Sequence, residues 1–180
     1  MERCRLVFSG SGGQGVITAA IILAEAAVVH ENRQAVQSQS YGAAARGGAT
    51  RGDVIISDEP IDFPKVIQPN ILIALTQEAY SKYQNIIRPG GLLITDQHYV
   101  TTSRKVDAVQ AELPLYDTVM EKIGKPVVFN ISMLGALIAL RPLVMQSSIE
   151  KVLEARFPWE FLALNKIALE VGIEVGSRFA

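Results

Sequence analysis

Short apolar runs alternate along this chain with longer stretches of helical spacing. Residues 5–8 are apolar and predict a strand, which runs into a glycine-rich loop at 9–15. Residues 16–29 are rich in alanine and apolar nearly all round, the mark of a buried helix. A short second strand is expected at 34–37, a long loop at 38–52, and a third strand at 53–57 ending in the turn Asp58-Glu-Pro60. The continuous apolar runs 71–75 and 92–95 read as buried strands, separated by a helix at 77–87 that Arg88-Pro-Gly-Gly91 ends. Residues 106–111 are weakly extended, 115–123 are helical, and 127–129 read as a strand. Asn130 is the expected N-cap of an apolar helix at 131–140. Ser147 or Ser148 is expected to cap a helix over 149–156, and a last helix over 159–171 is expected to stop at Gly172.

Strands alternating with helices predict an α/β fold: a single Rossmann-like domain over residues 1–180, with a mainly parallel sheet covered by helices on both faces. Ligands and partners meet such sheets beyond the carboxyl ends of the strands. Here those ends carry residues 9–15, Thr76, Gln77, Asp96, Gln97, His98 and Asn130. At 180 residues the chain suits one domain. Its hydrophobic fraction of 49% stands at the upper edge for globular domains. Two readings fit that excess, a sheet buried on both faces and a surface buried by other subunits. The run 16–29 is too short for a bilayer span, which needs ~20 residues. A net charge of −1 gives no reason to expect nucleic acid or an anionic membrane as partner. The single cysteine, Cys4, can form no internal disulfide and cannot ligate an iron–sulfur cluster, which needs about four thiolates. The chain start reads as a first strand rather than a signal peptide, so a reducing, cytoplasmic setting is expected.

Gly10, Gly12 and Gly15 keep the G-x-G-x-x-G spacing between a strand and a helix. Glycines permit a tight turn and close approach of a ligand, and the helix start offers free N–H groups to an anion. The plainer reading, a turn that only lets helix and strand pack closely, stays open. A dinucleotide site would need an acid at the end of the second strand, and Gln34-Ala-Val-Gln37 has none; Arg33 precedes that strand. A phosphate loop for nucleoside triphosphates would need Lys and Ser or Thr after Gly15, where Val16 and Ile17 stand. Ser9-Gly-Ser-Gly12 does not make a G-x-S-x-G nucleophile elbow.

The segment 38–53 adds an aromatic, Tyr41, and two arginines, Arg46 and Arg51, set among glycines, a composition suited to gripping an anion or a partner's carboxylate. With Gly12-Gly-Gln-Gly15 after the first strand, Gln39-Ser-Tyr-Gly42, Arg46-Gly-Gly48 and the strand Asp53–Asp58, the chain resembles the gamma subunits of 2-oxoacid:ferredoxin oxidoreductases, which correspond to one domain of the single-chain pyruvate:ferredoxin enzymes. Pro89-Gly-Gly91, Asn130, Met133-Leu-Gly-Ala136 and Asn165 extend the likeness over essentially the whole chain. Two positions depart from the pattern. Ala43-Ala44 stand where members often carry Pro-Glu. Ser11 stands where pyruvate-type members tend to carry Arg, which leans toward the 2-oxoglutarate or branched-chain type.

The resemblance implies a non-autonomous subunit. Its complex converts a 2-oxoacid, 2-oxoglutarate being favoured, to the acyl-CoA and passes electrons to ferredoxin. Thiamine diphosphate and [4Fe–4S] clusters would sit on partner subunits, alpha and beta with delta as an additional candidate, and this chain would bind no cofactor alone. Coenzyme A is the co-substrate it would contact. The residues expected to do so are Gly10, Gly12, Gly13, Gln14, Gly15, Ser40, Tyr41, Gly42, Arg46 and Gly47. No catalytic residue is nominated. His30 and His98 lie far apart in sequence and suggest no metal site. Asp96, at a strand end, is open to acid–base work or to helix capping. The apolar helices 16–29 and 131–140 would let the isolated chain form a homodimer.

Overall fold

The computed structural model describes residues 3–40, 48–103 and 106–180. Six strands form one sheet: β1 Cys4–Gly10, β2 Gln34–Ser40, β3 Thr50–Ser57, β4 Ile71–Ala74, β5 Gly91–Asp96 and β6 Ala108–Leu113. Their order is β2-β3-β1-β4-β5-β6. β1, β4, β5 and β6 run parallel, whereas β3 lies antiparallel to both β1 and β2. The sheet is thus the mainly parallel one that the pattern predicts, with β3 reversed.

Period-two alternation divides each inner strand between two cores. Leu6, Phe8, Val54, Ile56, Ile71, Ile73, Leu92 and Ile94 face a large apolar core under helices α1 Val16–Glu25, α3 Leu115–Lys122, α4 Phe129–Leu140, α5 Gln146–Arg156 and α6 Trp159–Ser177. Val7, Ile55, Leu72 and Leu93 face a smaller core under α2 Gln77–Tyr83, with Tyr80 and Tyr83 against them. Both faces are therefore buried, which accounts for the continuous apolar runs. Thr76 caps α2, its Oγ1 accepting the Ala79 N–H at 3.1 Å.

Several boundaries differ from expectation. The first helix passes at Ala26–His30 into a π-helical turn. Residues 38–40 and 50–52, expected in a long loop, extend β2 and β3, because the antiparallel pairing continues from Gln34↔Ser57 to Ser40↔Arg51. Residues 127–129 are not a strand: Pro126–Val128 form a 3-10 turn that leads into α4. Asn130 is therefore inside α4 and not its cap. α5 begins at Gln146, so Ser147 and Ser148 lie within it, and Met145 stands at its N-cap without a side-chain bond.

The largest departure is at the end of the chain. α6 continues through Gly172 to Ser177. Gly172 is there for contact: a Cβ would sit 1.8 Å from the Ser132 carbonyl oxygen of α4. A Cβ at Gly135 would meet the Leu169 oxygen at 2.2 Å, and one at Gly176 the Ala136 oxygen at 2.6 Å. α4 and α6 thus pack backbone against backbone. Every residue of α4 except Ala139 is buried.

β5 ends on Asp96, which is fully buried. Its two carboxylate oxygens accept the Tyr116 N–H at 2.8 Å, in the first turn of α3, and the His98 N–H at 3.0 Å. Asp96 is thus a capping residue reaching from a strand end. Burial raises its pKa above the ordinary 3.8, against the lowering by those two N–H groups.

Two predictions follow from these contacts. On helix propensity alone, Gly172→Ala would stabilise an exposed helix by about 1 kcal/mol. Here it should instead destabilise by about 3 kcal/mol through overpacking, read as a lowered urea midpoint; an unchanged or raised midpoint would contradict the contact. For Asp96, the folded chain binds more protons than the unfolded chain between 3.8 and the raised native value. Its contribution is fully present below 3.8 and lost as pH rises through that window. The stability of wild type minus that of Asp96→Asn, followed from about pH 4 to about pH 7, should fall with rising pH. A difference that rises would refute the raised pKa.

Candidate functional site

The carboxyl end of β1 lies beside that of β4, where the Leu75 N–H donates to the Ser9 oxygen at 2.9 Å. The chain then turns through Ser11–Gly15 into α1. Gln14 shapes this turn. Its Oε1 accepts the Ser11 N–H at 2.8 Å, and its Nε2 donates to the Leu75 oxygen at 3.1 Å. The side chain so ties the loop to itself and to the end of β4. Gly10 makes room for it, since a Cβ there would meet Gln14 Oε1 at 2.5 Å.

A second brace comes from α4. Asn130 Nδ2 donates to the Gly15 oxygen at 3.3 Å, the same carbonyl that accepts the Ala19 N–H in the first turn of α1. Gly15 has φ +71° and a Cβ on it would strike Asn130 Nδ2 at 2.5 Å, so conformation and space both require glycine. Gly13, at φ +93°, needs glycine for conformation alone. Gly12 is exposed like Gly13, and a Cβ at either would meet no described residue within 4 Å, but Gly12 alone of the loop's turn glycines also lacks a positive φ. α1 has no side-chain cap and no acid in its first turn, so its N–H groups face the loop without a competing carboxylate.

Two clefts flank Gly13. One of about 350 Å³ lies between the loop and α6, with Gly15, Thr18, Asn130, Phe161 and Asn165 in its wall. The other, of about 300 Å³, opens onto Gln14, Tyr99, Tyr116 and Phe129. Val127, 77% exposed, stands on the rim of both.

Ser40, the last residue of β2, pairs with Arg51 of β3, and Arg51 pairs with Ser9 of β1. The segment between β2 and β3 therefore leaves and re-enters the sheet at the end that carries the glycine loop. Tyr41, Gly42, Arg46 and Gly47 lie outside the described residues. Arg51 is not available to an anion. Its guanidinium holds Asp53 through two bonds of 2.6 and 2.9 Å, donates to the Val66 oxygen at 2.6 Å and lies over the Tyr83 ring. Arg33 is likewise engaged, with Asp58 at 2.9 Å and the Leu143 oxygen at 2.7 Å.

The structure thus brings Gly10–Gly15 and Ser40 to one sheet end and adds Asn130, Phe161 and Asn165, which sequence reasoning did not assign to the loop. The signal for Asn130 was a lone amide in an otherwise apolar helix. His98 packs against Tyr99 and Tyr116 at the end of β5, and its Nδ1 lies 2.9 Å from Asp117 Oδ1. Cys4 sits at the opposite end of β1, its thiol pushed up to about 11 by burial. Among the described residues no three His, Cys, Asp or Glu side chains come together to hold a metal ion, and no helix is long and apolar enough to cross a membrane. One thiol in the whole chain does not fit a [4Fe–4S] cluster.

Residues 5–175 match the model of the pyruvate ferredoxin/flavodoxin oxidoreductase family. The 2-oxoglutarate synthase subunit KorC of Methanocaldococcus jannaschii is 45% identical over 178 residues, 98% of this chain and 95% of that one. Among solved structures, the gamma subunit of a keto/oxoacid ferredoxin oxidoreductase from Geobacter sulfurreducens superposes with a TM-score of 0.89 at 41% identity, covering 98% of this chain and 97% of that one. The 2-oxoglutarate:ferredoxin oxidoreductase of Magnetococcus marinus, solved with 2-oxoglutarate, coenzyme A and succinyl-CoA bound, shares the fold with a TM-score of 0.90 at 21% identity; the match covers all of this chain and 32% of that one. The chain belongs to the pyruvate ferredoxin/flavodoxin oxidoreductase family, among its gamma-type subunits.

Proposed function

We propose that this chain is the gamma subunit of a multi-subunit 2-oxoacid:ferredoxin oxidoreductase whose substrate is 2-oxoglutarate. The observation that carries the reading is the 45% identity to a KorC subunit along nearly the full length of both chains. Thiamine diphosphate, which supplies the carbanion chemistry of decarboxylation, and the electron-carrying clusters belong in this reading to alpha and beta subunits, with delta as an additional candidate. The present chain acts as one gamma-type domain over residues 1–180, in the cytoplasm.

Its own part is to bind and orient. Gln14 and Asn130 hold the glycine loop from inside, so the outer backbone at Gly12 and Gly13 stays open for close approach. The uncapped start of α1 offers N–H groups and partial positive charge to an anion, here the phosphates of coenzyme A. Arg46 adds a guanidinium from the neighbouring segment, and Tyr41 an aromatic face. The bound coenzyme A structure of the Magnetococcus enzyme supports this choice of ligand. Prebuilt loop geometry limits the ordering cost of binding.

The chain, tagged and isolated from its own cells, should bring down thiamine-binding and cluster-bearing chains. The complex should reduce ferredoxin in the presence of coenzyme A with 2-oxoglutarate, at least about tenfold more efficiently in kcat/KM than with pyruvate. A chain that purifies alone and binds a nucleotide would instead support a stand-alone binding module. Arg46→Ala should raise the KM for coenzyme A about tenfold, the loss of one charge-assisted contact. Unchanged acyl-CoA kinetics would remove Arg46 from the site.

A further inference from the structure

The opposite end of the sheet, some 20 Å from the glycine loop by the length of β1, carries a second set of features. At the amino ends of β1, β4 and β5 there is a cleft of about 390 Å³. Its floor is apolar, formed by Ile71, Leu92 and Leu143 with the Cys4 thiol. Arg3, Arg88 and Arg141 stand around it. A second cleft of about 580 Å³ adjoins it across Arg88 and Pro89 and adds Arg5 and Lys65, together with the exposed apolar side chains Phe63 and Ile67. Among the described residues, no carboxylate lines either cleft.

These cations have little to do within the chain. Arg3 donates to the Pro60 oxygen at 2.8 Å, and among the described residues Arg141 reaches only the carbonyl of its own neighbour, Leu140, at 3.4 Å. Among the described residues, the side chains of Arg5, Lys65 and Arg88 form no hydrogen bond or ion pair. Five like charges gathered at one end of a chain whose net charge is −1 repel one another, a field that attracts an oppositely charged partner. A compact anion would call for donors converging on one point. Here the guanidinium and ammonium groups are spread along two joined clefts with apolar floors, which suits an extended ligand that carries several carboxylates and some apolar groups.

We propose that the amino end of the sheet is a docking surface for an extended acidic segment of a partner polypeptide. Carboxylates of that segment pair with Arg3, Arg88 and Arg141, and its apolar side chains pack on the exposed Phe63 and Ile67. Arginine suits this role, since its planar fork binds carboxylates bidentately and it is enriched at protein interfaces. The surface is independent of the glycine loop and of any ligand there.

The test uses the full chain and a fluorescent peptide of about six glutamates, ~20 Å long when extended. Fluorescence anisotropy at low salt should show binding that weakens as salt is added. The double variant Arg88→Glu/Arg141→Glu should bind at least about tenfold more weakly. Lys82→Glu/Lys151→Glu, with the same change in net charge elsewhere on the surface, should stay within about twofold. Inorganic pyrophosphate at matched charge should not displace the peptide. Urea midpoints establish that both variants fold. The proposal is overturned if the peptide does not bind, if both double variants weaken it equally, or if pyrophosphate displaces it, which would mark a site for a compact anion.

Discussion

The contact on which the rest of the molecule depends is the backbone-to-backbone packing of α4 on α6. Gly135, Gly172 and Gly176 leave no side chain between the two helices, and carbonyl oxygens occupy the space where Cβ atoms would be. This close approach fixes the position of α4, which is buried along nearly its whole length. α4 in turn presents Asn130 to the Gly15 carbonyl and so reaches the start of α1. A small residue deep in the helical layer therefore bears on the shape of the glycine loop at the end of the sheet.

The glycines of that loop divide by role. Gly10 and Gly15 make room for the amides of Gln14 and Asn130, and Gly13 and Gly15 adopt left-handed backbone. Those three belong to the fold. Gly12 has neither constraint. A glycine that the described fold does not require is a position at which a function can require one, because no described side chain or backbone fills the space of its missing side chain. The proposed contact with coenzyme A rests on this difference.

Much of the architecture was legible from the sequence because two-sided burial leaves continuous apolar runs, which mark β1, β4 and β5 with little ambiguity. The antiparallel course of β3 was not, because pairing direction leaves no trace in the alternation of a single strand. Gly172 was misread as a helix end because a glycine after a helical run carries the same local signal whether it caps the helix or allows another helix to approach. Asn130 was misplaced for a similar reason: an amide before an apolar run reads as a cap, while its partner, Gly15, is 115 residues away in sequence. The glycine loop itself was recognised from spacing, but its braces were not, since Gln14 and Leu75 meet only through the parallel pairing of β1 with β4.

The most direct test of this account is Gly12→Val in the assembled complex. The described residues leave space for the side chain, so the isolated variant should keep the wild-type stability within about 0.5 kcal/mol, read from its urea midpoint. If coenzyme A approaches the loop at Gly12, the complex should assemble, turn over at saturating coenzyme A, and show a KM for coenzyme A raised at least about tenfold. A stable variant with an unchanged KM would show that the open face of the glycine loop is not where coenzyme A meets this subunit.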